Sequence, residues 1–172
     1  MTRIFLHVGD HKTGTSTIQS ALSTRQRSED ANLKAVYYPT SGRKERMAHH
    51  NLFWAMTNDF RFEPDAGHWP DVRKDIEEVA PDTAILSSEA FESFNDLPRL
   101  RAMIDTHLAP LGPVKIILYV RPHFDRLRSA FSQKMKTGQI TGSIEEFVED
   151  AIARKTLVSY ASRMERRRSA IG

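Results

Sequence analysis

Gly9-Asp-His-Lys-Thr-Gly-Thr-Ser-Thr17 stands directly behind the apolar run Arg3-Ile-Phe-Leu-His-Val8 and directly ahead of a segment with helical periodicity, Ile18, Ala21 and Leu22. A glycine-bounded polar loop between a strand and a helix is the setting in which backbone N–H groups and the positive end of the helix dipole hold a phosphate. The usual pattern of such loops is G-x-x-x-x-G-K-[ST]. Here Gly9 and Gly14 keep the glycine spacing, but Thr15 stands in the lysine position and the lysine has moved inside the loop, to Lys12. Lys12 is placed to neutralise charge near a leaving phosphate oxygen, while Thr15, Ser16 and Thr17 offer hydroxyls and N–H donors at the helix start. The same residues also read as a plain strand-turn-helix with Thr15 as the helix N-cap.

Outward from this loop, Thr83 to Ser87 and Val114 to Val120 are further short apolar runs rich in β-branched residues, with Ala35 to Tyr38 a weaker one. Such runs fit strands buried on both faces of a parallel sheet. Between them lie helical patterns at Val72, Ile76 and Val79, at Leu97, Leu100, Ile104 and Leu108, and at Phe124, Leu127, Phe131 and Met135. Alternating strands and helices predict an α/β fold, a phosphate-loop-type three-layer sandwich with a central parallel sheet flanked by helices. Thr40 to Pro70 is polar with no clean period, and predicts a loop plus a short helix crossing the open end of the sheet. Arg163-Met-Glu-Arg-Arg-Arg168 reads as a basic, solvated helix face.

A chain of 172 residues, 40% hydrophobic and 27% charged, has the balance of one globular domain rather than two. The absence of cysteine excludes disulfides, thiolate metal sites and thiol nucleophiles, and fits a reducing compartment. No apolar run reaches membrane-spanning length and the first strand leaves no room for a signal peptide, so a cytoplasmic location is expected. A net charge of +3 decides little about partners. Nucleic-acid binding lacks an aromatic-plus-basic array and is not expected.

Three strand ends should converge. Arg121 closes one strand, Pro122 can open the next helix at its first position, and Ser129 follows on that helix, so the arginine and serine could grip one phosphate. Taken singly they also read as a surface ion pair and an ordinary helix residue. Ser87-Ser88-Glu89 brings a carboxylate to the same edge, where Glu89 is either a general base or a glutamate stabilising a helix N-terminus. His49 and His50 are adjacent, so both cannot face one site from regular structure, and neither has metal-ligand spacing to another histidine; His50 is kept as an acceptor contact. His11, in the loop, could touch ligand, and His7 reads as a core histidine with a backbone partner. Trp54, Trp69 and Phe53 could line a pocket or pack a core.

With these residues in place, Phe5-Leu-His-Val-Gly-Asp-His-Lys-Thr-Gly-Thr-Ser-Thr-Ile-Gln19 resembles the 5′-phosphosulfate loop of sulfotransferases, especially bacterial ones, and Val120-Arg-Pro-His-Phe-Asp-Arg-Leu-Arg-Ser129 is similar to their 3′-phosphate-binding segment. Ile85-Leu-Ser-Ser-Glu89 is similar to a strand-end element of the bacterial and carbohydrate-type members. The resemblance implies a donor, 3′-phosphoadenosine-5′-phosphosulfate, held by Lys12, Thr13, Gly14, Thr15, Ser16, Thr17, Arg121 and Ser129, with no metal required. It further implies in-line sulfuryl transfer to a hydroxyl or amine of a small-molecule or carbohydrate acceptor, Lys12 stabilising the leaving phosphate and Glu89 deprotonating the nucleophile. Members of the family are considerably longer, so the resemblance implies one domain over residues 1–172 that is C-terminally incomplete. Rival readings are a phosphate-loop kinase using ATP and magnesium, and a non-catalytic module that pairs with a partner chain. The acceptor and the oligomeric state, homo-oligomer included, stay open.

Overall fold

In the computed structural model, which describes residues 1–9, 13–28, 32–43, 47–120, 122–154 and 160–171, the chain forms two compact units, residues 1–119 and 120–172. The first is built on a four-stranded, wholly parallel sheet. β1 (Arg3–His7), β2 (Val36–Tyr37), β3 (Thr83–Ser87) and β4 (Val114–Ile117) lie in the order β2-β3-β1-β4. Ile4, Leu6, Ala84 and Leu86 are fully buried, as apolar runs covered on both faces require. The register sets His7 beside Ser87 on one side and Ile117 on the other. β4 is shorter than the expected strand to Val120. It pairs only with β1, the Val8 amide donates to Ile117 O (2.9 Å), and beyond that rung β1 has given way to the loop, so residues 118–120 have no ladder to join.

The helices of this unit are α1 (Thr15–Gln26), α2 (His50–Thr57), α3 (Trp69–Val79) and α4 (Leu97–His107), with single 3₁₀ turns at Pro64–Ala66, Glu89–Ser93 and Ala109–Leu111. Chain travel from β1 to β2 runs one way along the sheet, and from β2 to β3 and β3 to β4 the other way. Right-handed crossovers then put α1 on one face and α3 and α4, which pack on each other, on the opposite face. The periodic residues Val72, Ile76, Leu100, Ile104 and Leu108 are the buried ones. Asp96 caps α4 by accepting from the Arg99 amide (3.1 Å), and Asp71 accepts from the His68 amide (2.8 Å) at the start of α3.

α1 departs from its expected apolar face. Its buried stripe is Thr15, Gln19 and Ser23, at four-residue spacing, while Ile18 and Leu22 are half-buried and Ala21 is exposed. The segment from Thr40 to Pro70 carries α2 and a 3₁₀ turn, and polar clamps fix it. Asp75 Oδ2 accepts from the Thr40 amide (3.1 Å), the Thr40 hydroxyl (3.2 Å) and the Ser41 amide (2.9 Å). Buried Asn51 donates to Glu63 O and Gly67 O, each at 2.7 Å, and accepts from the Glu63 amide at 2.9 Å. Trp69 is core, its indole N–H donating to Leu52 O (3.1 Å), and Phe53 packs on Phe91 and Phe94.

The second unit holds α5 (His123–Lys136), α6 (Ile144–Ala153) and α7 (Tyr160–Ile171). Pro122 is the N-cap of α5 and not its first residue: its ψ of 136° is still extended. Of the apolar residues expected on α5, Leu127 is buried and Phe131 meets Phe147 of α6 (ring centroids 5.7 Å apart), whereas Phe124 and Met135 are exposed. Arg126 is buried with its guanidinium over the Tyr160 ring, 5.2 Å from its centroid and so within the roughly 6 Å reach of a cation–π contact. α6 has no counterpart among the expected helices, although Ser143 and Glu146 form a reciprocal capping box at its start. Among the described residues no helix is long and apolar enough to cross a membrane.

Candidate functional site

Gly9 ends the extended chain after β1, and Gly14, at φ 87°, turns it into α1. That left-handed conformation suits glycine, and it makes Gly14 the N-cap and Thr15 the first helical residue, so the helix begins one position earlier than the reading with Thr15 as N-cap requires. A glycine contributes no side-chain cap, so the helix end relies on the loop or on a ligand for its first donors. Thr15 is buried beneath the loop, its hydroxyl 3.4 Å from that of Thr13, while Ser16 and Thr17 are exposed. Gly9 closes tightly over this interior: a Cβ there would lie 2.5 Å from Thr15 Oγ1 and 3.0 Å from His7 Cε1 and Nε2. His11, Lys12 and Arg121 lie outside the described residues.

β1 and β3 are adjacent, and their chains leave toward opposite faces of the sheet, which opens a crevice at their carboxyl ends. A continuous set of hydrogen bonds lines it. His7 Nδ1 and Ser87 Oγ are 2.8 Å apart, so the partner of His7 is a side chain across the sheet and not the expected backbone group. The Gln19 amide nitrogen donates to Ser87 Oγ (3.2 Å) and to Glu89 Oε2 (2.9 Å). Glu89 Oε1 faces His50 Nε2 at 3.6 Å, and His50 Nδ1 is 2.8 Å from Ser88 Oγ, which also accepts from the Ala90 amide. Gln19 thus ties the helix behind the loop to the carboxylate on the next strand, and it holds one carboxylate oxygen while the other points to His50.

The two histidines do part company. His49 is fully buried, accepts from the Ser87 amide at Nδ1 (3.1 Å) and donates from Nε2 to Pro39 O (3.1 Å). Burial, reinforced by the Arg43 charge, pushes its pKa down to about 3, so it is a neutral structural link. Burial also lowers the pKa of His7, with the Glu89 charge opposing. His50 instead opens on a cleft of about 320 Å³ lined by Ser16, Gln19, Met47, Ala48, His50, Trp54 and Glu89. Side-chain exposures of 25% for His50 and 20% for Glu89 leave both reachable from solvent. Glu89 also occupies the first position of its 3₁₀ turn, where a carboxylate stabilises the amino end. Trp54 both packs and lines the cleft, its ring 5.5 Å from that of His50.

Sequence reasoning assigned no separate role to Gln19, whose only signal is its place one turn after Thr15 on the same helix face. Ser129 is half-buried on α5, in the second unit. Among the described residues no group of acidic, histidine or cysteine side chains is arranged to hold a metal ion. No protein-family model, curated protein or solved structure matches the chain.

Proposed function

We propose that this protein is a sulfotransferase of the phosphate-loop type that moves a sulfuryl group from 3′-phosphoadenosine-5′-phosphosulfate to a hydroxyl or amine acceptor seated in the cleft beside Ser16. The observation that carries the reading is the placement of Glu89 and His50 in one solvent-reachable cleft with Ser16, at the amino end of the helix that follows the glycine loop. The loop suits an anionic donor. Its floor contains a buried, unpartnered imidazole nitrogen, His7 Nε2, and its wall is a glycine whose Cβ would collide with Thr15. Thr13, Gly14, Thr15, Ser16 and Thr17 would hold the 5′-phosphosulfate together with Lys12, and Arg121 with Ser129 the 3′-phosphate.

In this reading Glu89 removes the acceptor's proton as the acceptor oxygen or nitrogen bonds to sulfur and the bridging S–O bond breaks, leaving 3′-phosphoadenosine-5′-phosphate. Gln19 fixes the carboxylate by its Oε2, which keeps Oε1 directed at the cleft. His50, 3.6 Å from that oxygen, stabilises the carboxylate or relays its proton outward. Lys12 offsets the charge that grows on the departing phosphate.

The test is calorimetric titration with 3′-phosphoadenosine-5′-phosphate in EDTA, comparing the intact chain with Lys12→Ala and Arg121→Ala, and with ATP with and without magnesium. Saturable binding that weakens at least tenfold in both variants and is not shared by ATP supports the proposal. A folded chain that binds no bisphosphate, or binds only magnesium-ATP, overturns it, and the second result favours the kinase reading.

A further inference from the structure

Among the described residues, His7 Nε2 at the crevice is a buried side-chain atom with no hydrogen bond. A buried ring nitrogen left unpaired is destabilising, so its persistence calls for a use. Its position supplies one. The ring edge carrying Nε2 and the Thr15 hydroxyl converge on Gly9 from two sides, and the Thr13 hydroxyl meets Thr15 there. Tyr119 closes the ring from another direction, in a T-shaped contact at 5.0 Å.

We propose that His7 is a ligand of the anion held by the glycine loop, donating its Nε2–H from beneath to a phosphate or sulfuryl oxygen, with Ser87 setting the tautomer. Ser87 Oγ accepts from Gln19 and has its own proton to place, either on His7 Nδ1 at 2.8 Å or toward the adjacent Tyr38 phenol. Placed on Nδ1, it forces the ring proton onto Nε2. A bound oxyanion favours that arrangement, because an Nε2–H gains an acceptor whereas a bare Nε2 lone pair would face negative charge. Burial favours the neutral ring, with the Glu89 charge opposing, and from the neutral ring the Nε2–H is a directed donor. The inference rests on an anion occupying the loop, as the proposed function has it, and adds a floor ligand that the loop motif does not name.

The experiment is a long-range proton–nitrogen correlation spectrum of the intact ¹⁵N-labelled protein, titrated in parallel with 3′-phosphoadenosine-5′-phosphate, inorganic pyrophosphate and sulfate. Loop amides report occupancy, and the His7 nitrogens report the tautomer. The expected result is that any of the three that shifts the Thr13 to Thr17 amides also moves the Nε2 and Hε1 resonances of His7 and leaves Nε2 as the protonated nitrogen. His7→Phe, checked for folding by circular dichroism, should weaken the same ligand about tenfold or more, the loss expected of a hydrogen bond to a charged group. Occupied loop amides with an unmoved His7, or a proton found on Nδ1, overturn the inference while the proposed function stands. Binding of pyrophosphate or sulfate that moves His7, without binding of the nucleotide, supports the inference and removes the sulfotransferase reading. No response to any of the three overturns both.

Discussion

Gly9→Ala tests the loop's closure directly. A methyl group at this position would lie 2.5 Å from Thr15 Oγ1, well inside the contact distance of carbon and oxygen, and 3.0 Å from the edge of His7. Gly9 does not occupy a left-handed conformation, so the cost is one of overpacking and not of backbone strain. Thr15 cannot yield cheaply, since it is buried, β-branched and set against Thr13 at 3.4 Å. Overpacking of this kind costs about 1–3 kcal/mol, which in a chain of this length lowers the melting temperature by roughly 2–4 °C per kcal/mol. The informative comparison is a double-mutant cycle with Thr15→Ala, which removes the hydroxyl that the methyl group meets. Gly9→Ala should cost about 1 kcal/mol less in the Thr15→Ala background, the difference being the coupling between the two sites. Gly14→Ala is the control: at φ 87° with nothing within 4 Å, its cost of about 1–2 kcal/mol is conformational and should not depend on Thr15. Urea unfolding followed by circular dichroism measures all of these. A Gly9→Ala chain within about 0.5 kcal/mol of the parent, or equal penalties in the two backgrounds, would refute the packing of the loop over Thr15 and His7.

Other outcomes follow from the same groups. His49 has a folded pKa of about 3 against 6.5 for the free side chain, and that of His7 is lowered too. Below pH 6.5 the unfolded chain therefore binds more protons than the folded one, and stability falls as pH drops, at up to about 1.4 kcal/mol per pH unit for each histidine; urea midpoints that stay constant between pH 7.5 and 5.5 would contradict this. Asp75→Ala strips three donors at Thr40 and Ser41 of their acceptor and should cost about 1–3 kcal/mol, read as an earlier urea midpoint, with faster amide exchange at Ser41. With an acceptor in hand, Glu89→Gln should lower kcat by about 10²–10⁴-fold while leaving bisphosphate affinity within a factor of about three, and a loss confined to KM would remove Glu89 from the base role.

The strands and the crevice were legible because their signals are local. β-branched apolar runs mark β1, β3 and β4, and the turn from Val8 into Thr15 announces itself by its glycines. The end of β4 was not legible, since residues 118–120 are as apolar as a strand and stop pairing only because the neighbouring strand stops first. Neither was the inner face of α1. Ile18 and Leu22 suggest an apolar stripe, but Thr15, Gln19 and Ser23 face inward, where Gln19 bonds to Ser87 and Glu89. Gln19 reaches Ser87 and Glu89 nearly seventy residues away, and Asn51 clamps a turn by its amide; nothing in a glutamine or an asparagine names such partners in advance. The adjacency of His49 and His50 implies that they face different ways, but nothing local names the Ser87 amide and Pro39 carbonyl that enclose His49.

The polar underside of α1 has a thermodynamic consequence. A helix docked mainly through hydrogen bonds gives up little apolar surface to water when it detaches, so its release carries a small heat-capacity change and a mainly enthalpic cost. α3 and α4, seated on Val72, Ile76, Leu100 and Ile104, should loosen on cooling as the hydrophobic contribution fades, while α1 should hold until warming breaks its bonds. Amide exchange measured across temperature would then show α1 crossing over from among the better protected helices in the cold to the first to open in the warm, and with it the geometry that fixes Glu89.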